Sequence, residues 1–192
     1  QPVMPEGVKD GILKGMYLYK PSDHKRAKLR AQLFGSGAIL NEVLKAQDIL
    51  WDKFQVAADV WSVTSYKVLR RDGLQVERWN MLHPTKKPRV PYVSQCLKGA
   101  QGVCVAASDY LKALPDSIAR WLPKAFYSLG TDGFGRSDSR AALREFFEVD
   151  AKFVALATLY SLAQEKQIKP GVVQKAIKDL DIDPEKVEPV IS

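Results

Sequence analysis

Short runs of apolar, β-branched and aromatic residues alternate along this chain with longer stretches whose apolar positions recur at helical spacing. That alternation predicts an α/β sheet domain. A first strand is expected near Met16 to Lys20, ended by Pro21. "AKLRAQLFGSG" reads as a buried strand through Leu33 and Phe34, closed by Gly35 and Gly37. In "AILNEVLKAQDILWDKF", Ile39, Leu40, Val43, Leu44, Ile49 and Leu50 share one broad helical face. Gln55 to Val63, rich in valine and tryptophan, reads as the second buried strand.

Residues 66–100 are less regular. "YKVLRRDG" predicts one or two helical turns stopped by Gly73, and "LQVERWNML" a second short helix ended before Pro84. "PTKKPRVP" predicts an extended surface loop, and "GVCVAAS" the third core strand. "DYLKALPDSIARWLP" predicts a helix capped by Asp109 and kinked or restarted at Pro115, which has no N–H to donate. "AFYSLG" is the fourth core strand, and residues 139–147 a short helix turning Leu143, Phe146 and Phe147 inward. Asp150 then caps "AKFVALATLYSLAQEK", with Phe153, Leu156, Ala157, Tyr160 and Ala163 at helical spacing. "PGVVQKAIKDL" makes a last helix, and Asp183-Pro184 reads as an N-cap followed by proline at a first helical position.

Strands joined through helices imply right-handed crossovers, a mostly parallel sheet and helices on both faces. The loops after the strands then gather at one edge, where such sheets bind ligands. Here they are Gly35-Ser36-Gly37, Thr64-Ser65, Ser108-Asp109 and Thr131 to Ser137.

Composition narrows the classes. The chain has 192 residues, 46% hydrophobic and 27% charged, enough for one well-buried domain. Its longest mostly apolar run, Phe153 to Tyr160, falls far short of the ~20 residues of a membrane span. The start "QPVMPEG" carries no signal-peptide pattern and reads as the interior of a longer protein. Cys96 and Cys104 fit a reducing cytoplasm and leave one disulfide open; with only His24 and His83 beside them, no metal-ligand spacing exists. The net charge of +7 collects in "HKRAKLR", "LRR" and "TKKPR". None of these is interleaved with aromatic rings, so solvated loops and domain contacts are preferred over a nucleic-acid surface.

Two glycine loops invite a phosphate reading. "GSGAIL" begins like a dinucleotide fingerprint, but Leu40 replaces the third glycine, and its acidic partner, Asp59, falls within a strand. "GTDGFGRSD" has P-loop spacing with Arg136 in place of the lysine, whose thin ammonium a planar guanidinium does not replace. The preferred reading is a strand-to-helix bend permitted by Gly130, Gly133 and Gly135, with Ser137 or Asp138 capping the next helix. His83 stands without a catalytic companion, and Ser62, Thr64 and Ser65 read as turn hydroxyls. No catalytic residue emerges from spacing.

Taken together, "MPEGVKDGILKGMY", "LFGSGAIL", "ADVWSVTSY", "ERWNMLHP", "PRVPY", "ASDYLKAL" and "LGTDGFGRSDSRAALREFFEVD" resemble the C-terminal region of the homodimeric bacterial pyruvate dehydrogenase decarboxylating components. The resemblance runs from about Met4 to Val187, and Phe134 to Ser137 also looks like the matching loop of the transketolase superfamily. It implies a transketolase C-terminal-like three-layer domain over residues 23–192, with residues 1–22 as a lead-in segment plus edge strand. The implied sheet has five strands, four parallel and one antiparallel. The family enzyme uses thiamine diphosphate and magnesium, decarboxylates pyruvate, and passes the acetyl group to lipoyl groups of a dihydrolipoyl acetyltransferase. Its cofactor motif G-D-G...N-N is absent here, and its active-site histidines lie upstream of Gln1. No catalytic, cofactor or metal residue is carried over, and Pro115 departs from the family's helix. The resemblance therefore implies a cytoplasmic packing and dimer-contact domain, inactive alone. Asp132, Gly133, Phe134, Gly135, Arg136, Ser137 and His83 are its candidate contact residues. A phosphate- or nucleotide-binding module built on the strand-end loops is the alternative, with basic nucleic-acid binding as the third.

Overall fold

In the computed structural model, which describes residues 3–191, five strands form: Met16–Lys20 (β1), Leu29–Gly35 (β2), Val56–Val63 (β3), Val103–Ala107 (β4) and Phe126–Leu129 (β5). They build one sheet in the order β1-β3-β2-β4-β5. β3, β2, β4 and β5 run parallel, and β1 joins the edge antiparallel to β3. The antiparallel edge lies where the resemblance put it. The helices are Lys9–Lys14 (α1), Leu40–Phe54 (α2), Tyr66–Leu82 (α3), Tyr92–Cys96 (α4), Ala113–Asp116 (α5), Arg140–Phe146 (α6), Ala151–Gln164 (α7) and Pro170–Asp179 (α8).

Alternation along each strand divides the core into two layers. Ala31, Leu33, Val56, Ala58, Val60, Val103, Val105 and Ala107 face α2, α7 and α8. Phe34, Trp61, Val63, Cys104 and Ala106 face the opposite way, against Tyr66 and Leu69 of α3, Val93 of α4, Ile118 and Trp121. Both sheet faces are therefore covered, as a parallel sheet requires.

Several boundaries differ from the sequence reading, each for a local reason. Residues 66–82 form one helix rather than two, and Gly73 sits buried inside it. A Cβ at Gly73 would lie 2.5 Å from the Trp121 ring, so the glycine admits the indole and does not end the helix. The helix expected over 109–123 is broken up: Asp109 caps nothing, α5 begins at Ala113, and Pro115 lies in its first turn where a missing N–H costs little. Ser139, not Ser137 or Asp138, caps α6 by accepting from the Ala142 N–H at 3.3 Å. Asp150 caps α7 as expected, accepting from Phe153 N–H at 3.0 Å.

α7 is apolar nearly all round, so periodicity could not select its buried stripe. Val154, Ala155, Ala157, Thr158, Leu159 and Leu162 are buried, whereas Tyr160 is exposed. Thr158 and Ser161 bury their hydroxyls by donating to the carbonyls of Val154 and Ala157, each at 2.8 Å. Asp183 starts no helix; its carboxylate accepts from Glu185 N–H at 2.9 Å in a turn.

The Gly73–Trp121 contact gives a test in which two effects oppose. Alanine favours a helix interior over glycine by about 1 kcal/mol. Overpacking the indole costs about 1–3 kcal/mol. Gly73→Ala is therefore expected to lower stability in urea unfolding; a rise would show that helix propensity dominates.

Candidate functional site

The C-terminal ends of the parallel strands assemble the edge on which any site must be built. Strand order changes direction between β2 and β4, so their following loops diverge there and leave a crevice. Ser36 and Ser108 stand on either side of it, both buried, with the Ser36 hydroxyl donating to Ser108 Oγ at 3.0 Å. Ser108 Oγ also accepts from Tyr110 N–H at 3.1 Å, so this pair stitches the two loops rather than exposing a nucleophile.

"GTDGFGRSD" (130–138) is tied to the same β4–α5 loop. Thr131 N–H donates to the Tyr110 carbonyl at 2.9 Å, and Thr131 Oγ1 to the Asp109 carbonyl at 2.7 Å. Asp132 accepts from Lys112 N–H at 3.0 Å. A Cβ on Gly130 would lie 2.5 Å from the Tyr110 carbonyl oxygen, and Gly133 has φ of 95°. Gly135 has open space around it and a negative φ, so this third glycine is not required by the bend. α6 starts only at Arg140. Arg136 and Ser137 therefore precede the helix instead of opening it, and the backbone cradle of a P-loop does not form.

Two cavities flank the crevice. The larger, of about 570 Å³, is lined by Tyr17, Tyr19, Ser36, Gly37, Ser62, Thr64, Ser65, Tyr66, Lys67 and Tyr110, among others. Its hydroxyls serve the fold: Thr64 Oγ1 donates to the Ile12 carbonyl at 2.8 Å, and Ser65 Oγ caps α3 by accepting from Val68 N–H at 3.2 Å. Burial raises the Tyr66 phenol far above its usual range, with Asp116 adding to the effect, so the ring stays neutral. The smaller cavity, of about 330 Å³, lies between Ala38, Ile39, Asp109 and Thr131 on one side and Arg136, Arg140, Leu143, Arg144, Phe147 and Val149 on the other. Glu42 of α2, 5% exposed, fixes α6 here: its Oε1 accepts from Arg144 at 2.8 Å and from Lys45 at 2.9 Å.

The structure separates other sequence candidates from this edge. Asp59 lies within β3, accepting from Ser22 N–H at 2.8 Å and Gln32 Nε2 at 3.0 Å, and pairing with Arg30 at 3.6 Å. It is a structural anchor, so the dinucleotide fingerprint has no ribose ligand. His83 stacks on Trp79 at 4.5 Å, its Nδ1 2.8 Å from the Trp79 carbonyl. Arg89 stacks on Trp79 as well, at 3.9 Å. His83 follows the last residue of α3, whose 17 residues span about 25 Å. It therefore does not join the loop of Asp132 to Ser137 that begins beyond β5. Cys104 and Cys96 are free thiols, and burial pushes Cys104 up to about 12 and raises Cys96. Among the described residues, no three His, Cys, Asp or Glu side chains cluster for a metal ion, and no helix is long and apolar enough to cross a membrane.

The sequence analysis missed Arg140, Arg144 and Glu42, which came into view only once α6 was packed against α2. The four-residue spacing of Arg136, Arg140 and Arg144 was the available signal.

Comparison with known proteins follows from this geometry. A family model described as the transketolase-like TK C-terminal domain matches residues 15–150. A pyruvate dehydrogenase E1 component of Pseudomonas aeruginosa is 53% identical over 191 residues, 99% of this chain but 22% of that relative. The Escherichia coli K12 protein of the same description is 47% identical over 189 residues, covering 98% of this chain and 21% of its own length. The chain thus spans about a fifth of the curated relatives it matches. Among solved structures, a Pichia stipitis transketolase complexed with sedoheptulose-7-phosphate superposes with a TM-score of 0.57 at 15% identity, over 86% of this chain and 20% of that one. That likeness concerns the fold alone.

Two substitutions test the loop geometry. Gly130→Ala, which presses a methyl against backbone, should cost about 1–3 kcal/mol in thermal unfolding. Gly135→Ala should change stability by no more than about 0.5 kcal/mol; equal losses would contradict the different roles of the two glycines. Separately, iodoacetamide at pH 8 should leave Cys104 unmodified in the folded protein and label it after urea unfolding, because the buried thiol stays protonated below about pH 12.

Proposed function

The chain belongs to the transketolase-like TK C-terminal domain family, and from that premise we propose that it is the C-terminal domain of a homodimeric pyruvate dehydrogenase E1 component. The observation that carries the reading is 53% identity over 99% of the chain to a relative bearing that description. The whole enzyme would decarboxylate pyruvate and pass the acetyl group to lipoyl groups on a dihydrolipoyl acetyltransferase in the cytoplasm. Thiamine diphosphate with magnesium, when bound, would supply the carbanion stabilisation for such a decarboxylation.

The residues of this chain do not fit that group. The G-D-G...N-N pattern is absent from the sequence, and the described residues offer no metal-ligand cluster. In this reading the cofactor belongs to domains upstream, and no chemical step is given to this chain. Its part in the reading is mechanical: to pack against the upstream domains and the second subunit. The loop of Asp132, Gly133, Phe134, Gly135, Arg136 and Ser137 suits that part. Phe134 at its tip is 87% exposed, with Tyr110 and Leu111 also exposed on the adjoining loop. Large apolar groups gathered this way favour burial against protein. His83 would act separately, at the end of α3.

Mixed with thiamine diphosphate, magnesium and pyruvate, the 192-residue chain should release no carbon dioxide above blank; decarboxylation would overturn the reading. In the full-length enzyme, Phe134→Asp should weaken the dimer by about 2 kcal/mol, the scale of a buried aromatic anchor. Sedimentation at falling protein concentration reads that shift, and an unchanged dimer would remove the loop from the contact.

A further inference from the structure

A cavity of about 140 Å³ lies between α2 and the turn that follows β1, away from the strand-end crevice. Asp23, His24, Asp48, Trp51 and Asp52 line it, with Lys20 at its rim and Gln47 beneath. In a chain of net charge +7, it gathers three carboxylates. They are not equivalent. Asp48 is paired with Lys20 at 3.4 Å. Asp23 and Asp52 are exposed, and their carboxylates make no ion pair or hydrogen bond among the described residues. The cavity therefore presents more negative charge than the fold neutralises.

The floor adds an independent demand for a donor. Gln47, 7% exposed, donates through Nε2 to the Ala58 carbonyl at 2.7 Å and the Lys20 carbonyl at 3.3 Å. Carbonyls only accept, so these two fix which arm of the amide is the nitrogen. The register of β1 against β3 shifts between Leu18 and Lys20, where the strand turns that second carbonyl toward Gln47. Oε1, on the other arm, is buried and has no donor among the described residues. A buried carbonyl without a donor is costly, so an N–H arriving from the cavity is favoured there.

One wall is flat. The His24 and Trp51 rings stack with centroids 3.3 Å apart and planes within 8°. The turn holds His24 in place, its N–H donating to Ser22 Oγ at 3.2 Å and its carbonyl accepting from Arg30 at 3.2 Å. Among the described residues, no three His, Cys, Asp or Glu side chains converge on a point that a metal ion could take. The acidic groups instead surround a space suited to a larger cation. An ammonium is a compact point charge, whereas a guanidinium is planar, stacks on rings and offers five N–H donors in a fixed fork. We infer that this cavity binds a guanidinium group, its face on the His24–Trp51 stack and its N–H groups donating to Asp23, Asp52 and Gln47 Oε1. The volume lies below the roughly 300–1,000 Å³ of whole-molecule sites, so the cavity takes a group rather than a large ligand. The group belongs either to a small free guanidine or to an arginine side chain of another protein segment.

No residue of the loop of Asp132 to Ser137 lines this cavity, so the inference stands apart from the proposed function. Titration calorimetry of the full-length protein at low ionic strength tests it. Methylguanidinium should bind saturably, one per chain. Methylurea, of the same shape without the charge, should not saturate, and methylammonium should bind about tenfold or more weaker for want of the planar fork. D52N, a change at an exposed position, should weaken methylguanidinium about threefold or more, and the double variant D23N/D52N should abolish saturation. The peptide acetyl-Gly-Arg-Gly-amide separates the two sources: binding as tight as methylguanidinium assigns the cavity to a protein arginine, and its exclusion assigns it to a small guanidine. Equal affinity for methylurea, an unaltered double variant, or no saturable binding of methylguanidinium would overturn the site. The dimer state, read separately by sedimentation, reports on the proposed function alone.

Discussion

β2 is the strand through which both halves of the sheet are hydrogen-bonded, with β3 on one side and β4 on the other, all parallel. A parallel pair cannot be closed by a tight turn, so each connection must leave the sheet and return through a helix. Chain order then places β3 on one flank of β2 and β4 on the other, and the two connections cover opposite faces. The crevice between Ser36 and Ser108 follows from that reversal, as do the cavities beside it. Everything proposed for the edge rests on the central position of β2.

Buried polar groups hold this arrangement in register, where apolar contact alone would tolerate sliding. Gln32, 1% exposed in β2, donates through Nε2 to Asp59 of β3 and to the Gln101 carbonyl before β4, each at 3.0 Å. Its Oε1 accepts from Trp61 Nε1 at 2.8 Å. One amide thus spans three adjacent strands' worth of backbone and satisfies a buried indole. Slippage of either neighbour would leave those groups unpaired at about 1–3 kcal/mol each. Glu42 does the same for the helical layer, linking α2 to α6 through Arg144. That link sets how α6 lies against α2.

The strands were legible because their apolar runs are short, bounded by glycine and proline, and rich in β-branched residues. The helical boundaries were less so. Gly73 looked like a stop because local propensity is all a sequence displays, while the Trp121 ring that requires it lies 48 positions away in the chain. The glycine loop looked like a phosphate cradle because spacing does not reveal that α6 begins at Arg140, three residues after Ser137. Asp59 looked like a ribose ligand by separation alone and is an anchor within β3.

The sequence by itself determined the class of fold, the five strands and the family, since alternation, turn residues and long shared motifs are local properties. Only the tertiary structure decided which glycines are needed, which side chains share an edge, and that Arg136, Arg140 and Arg144 face one cavity. Those facts depend on contacts between residues far apart in the chain. Spacing along a strand or helix specifies direction within an element, but packing specifies what the element meets.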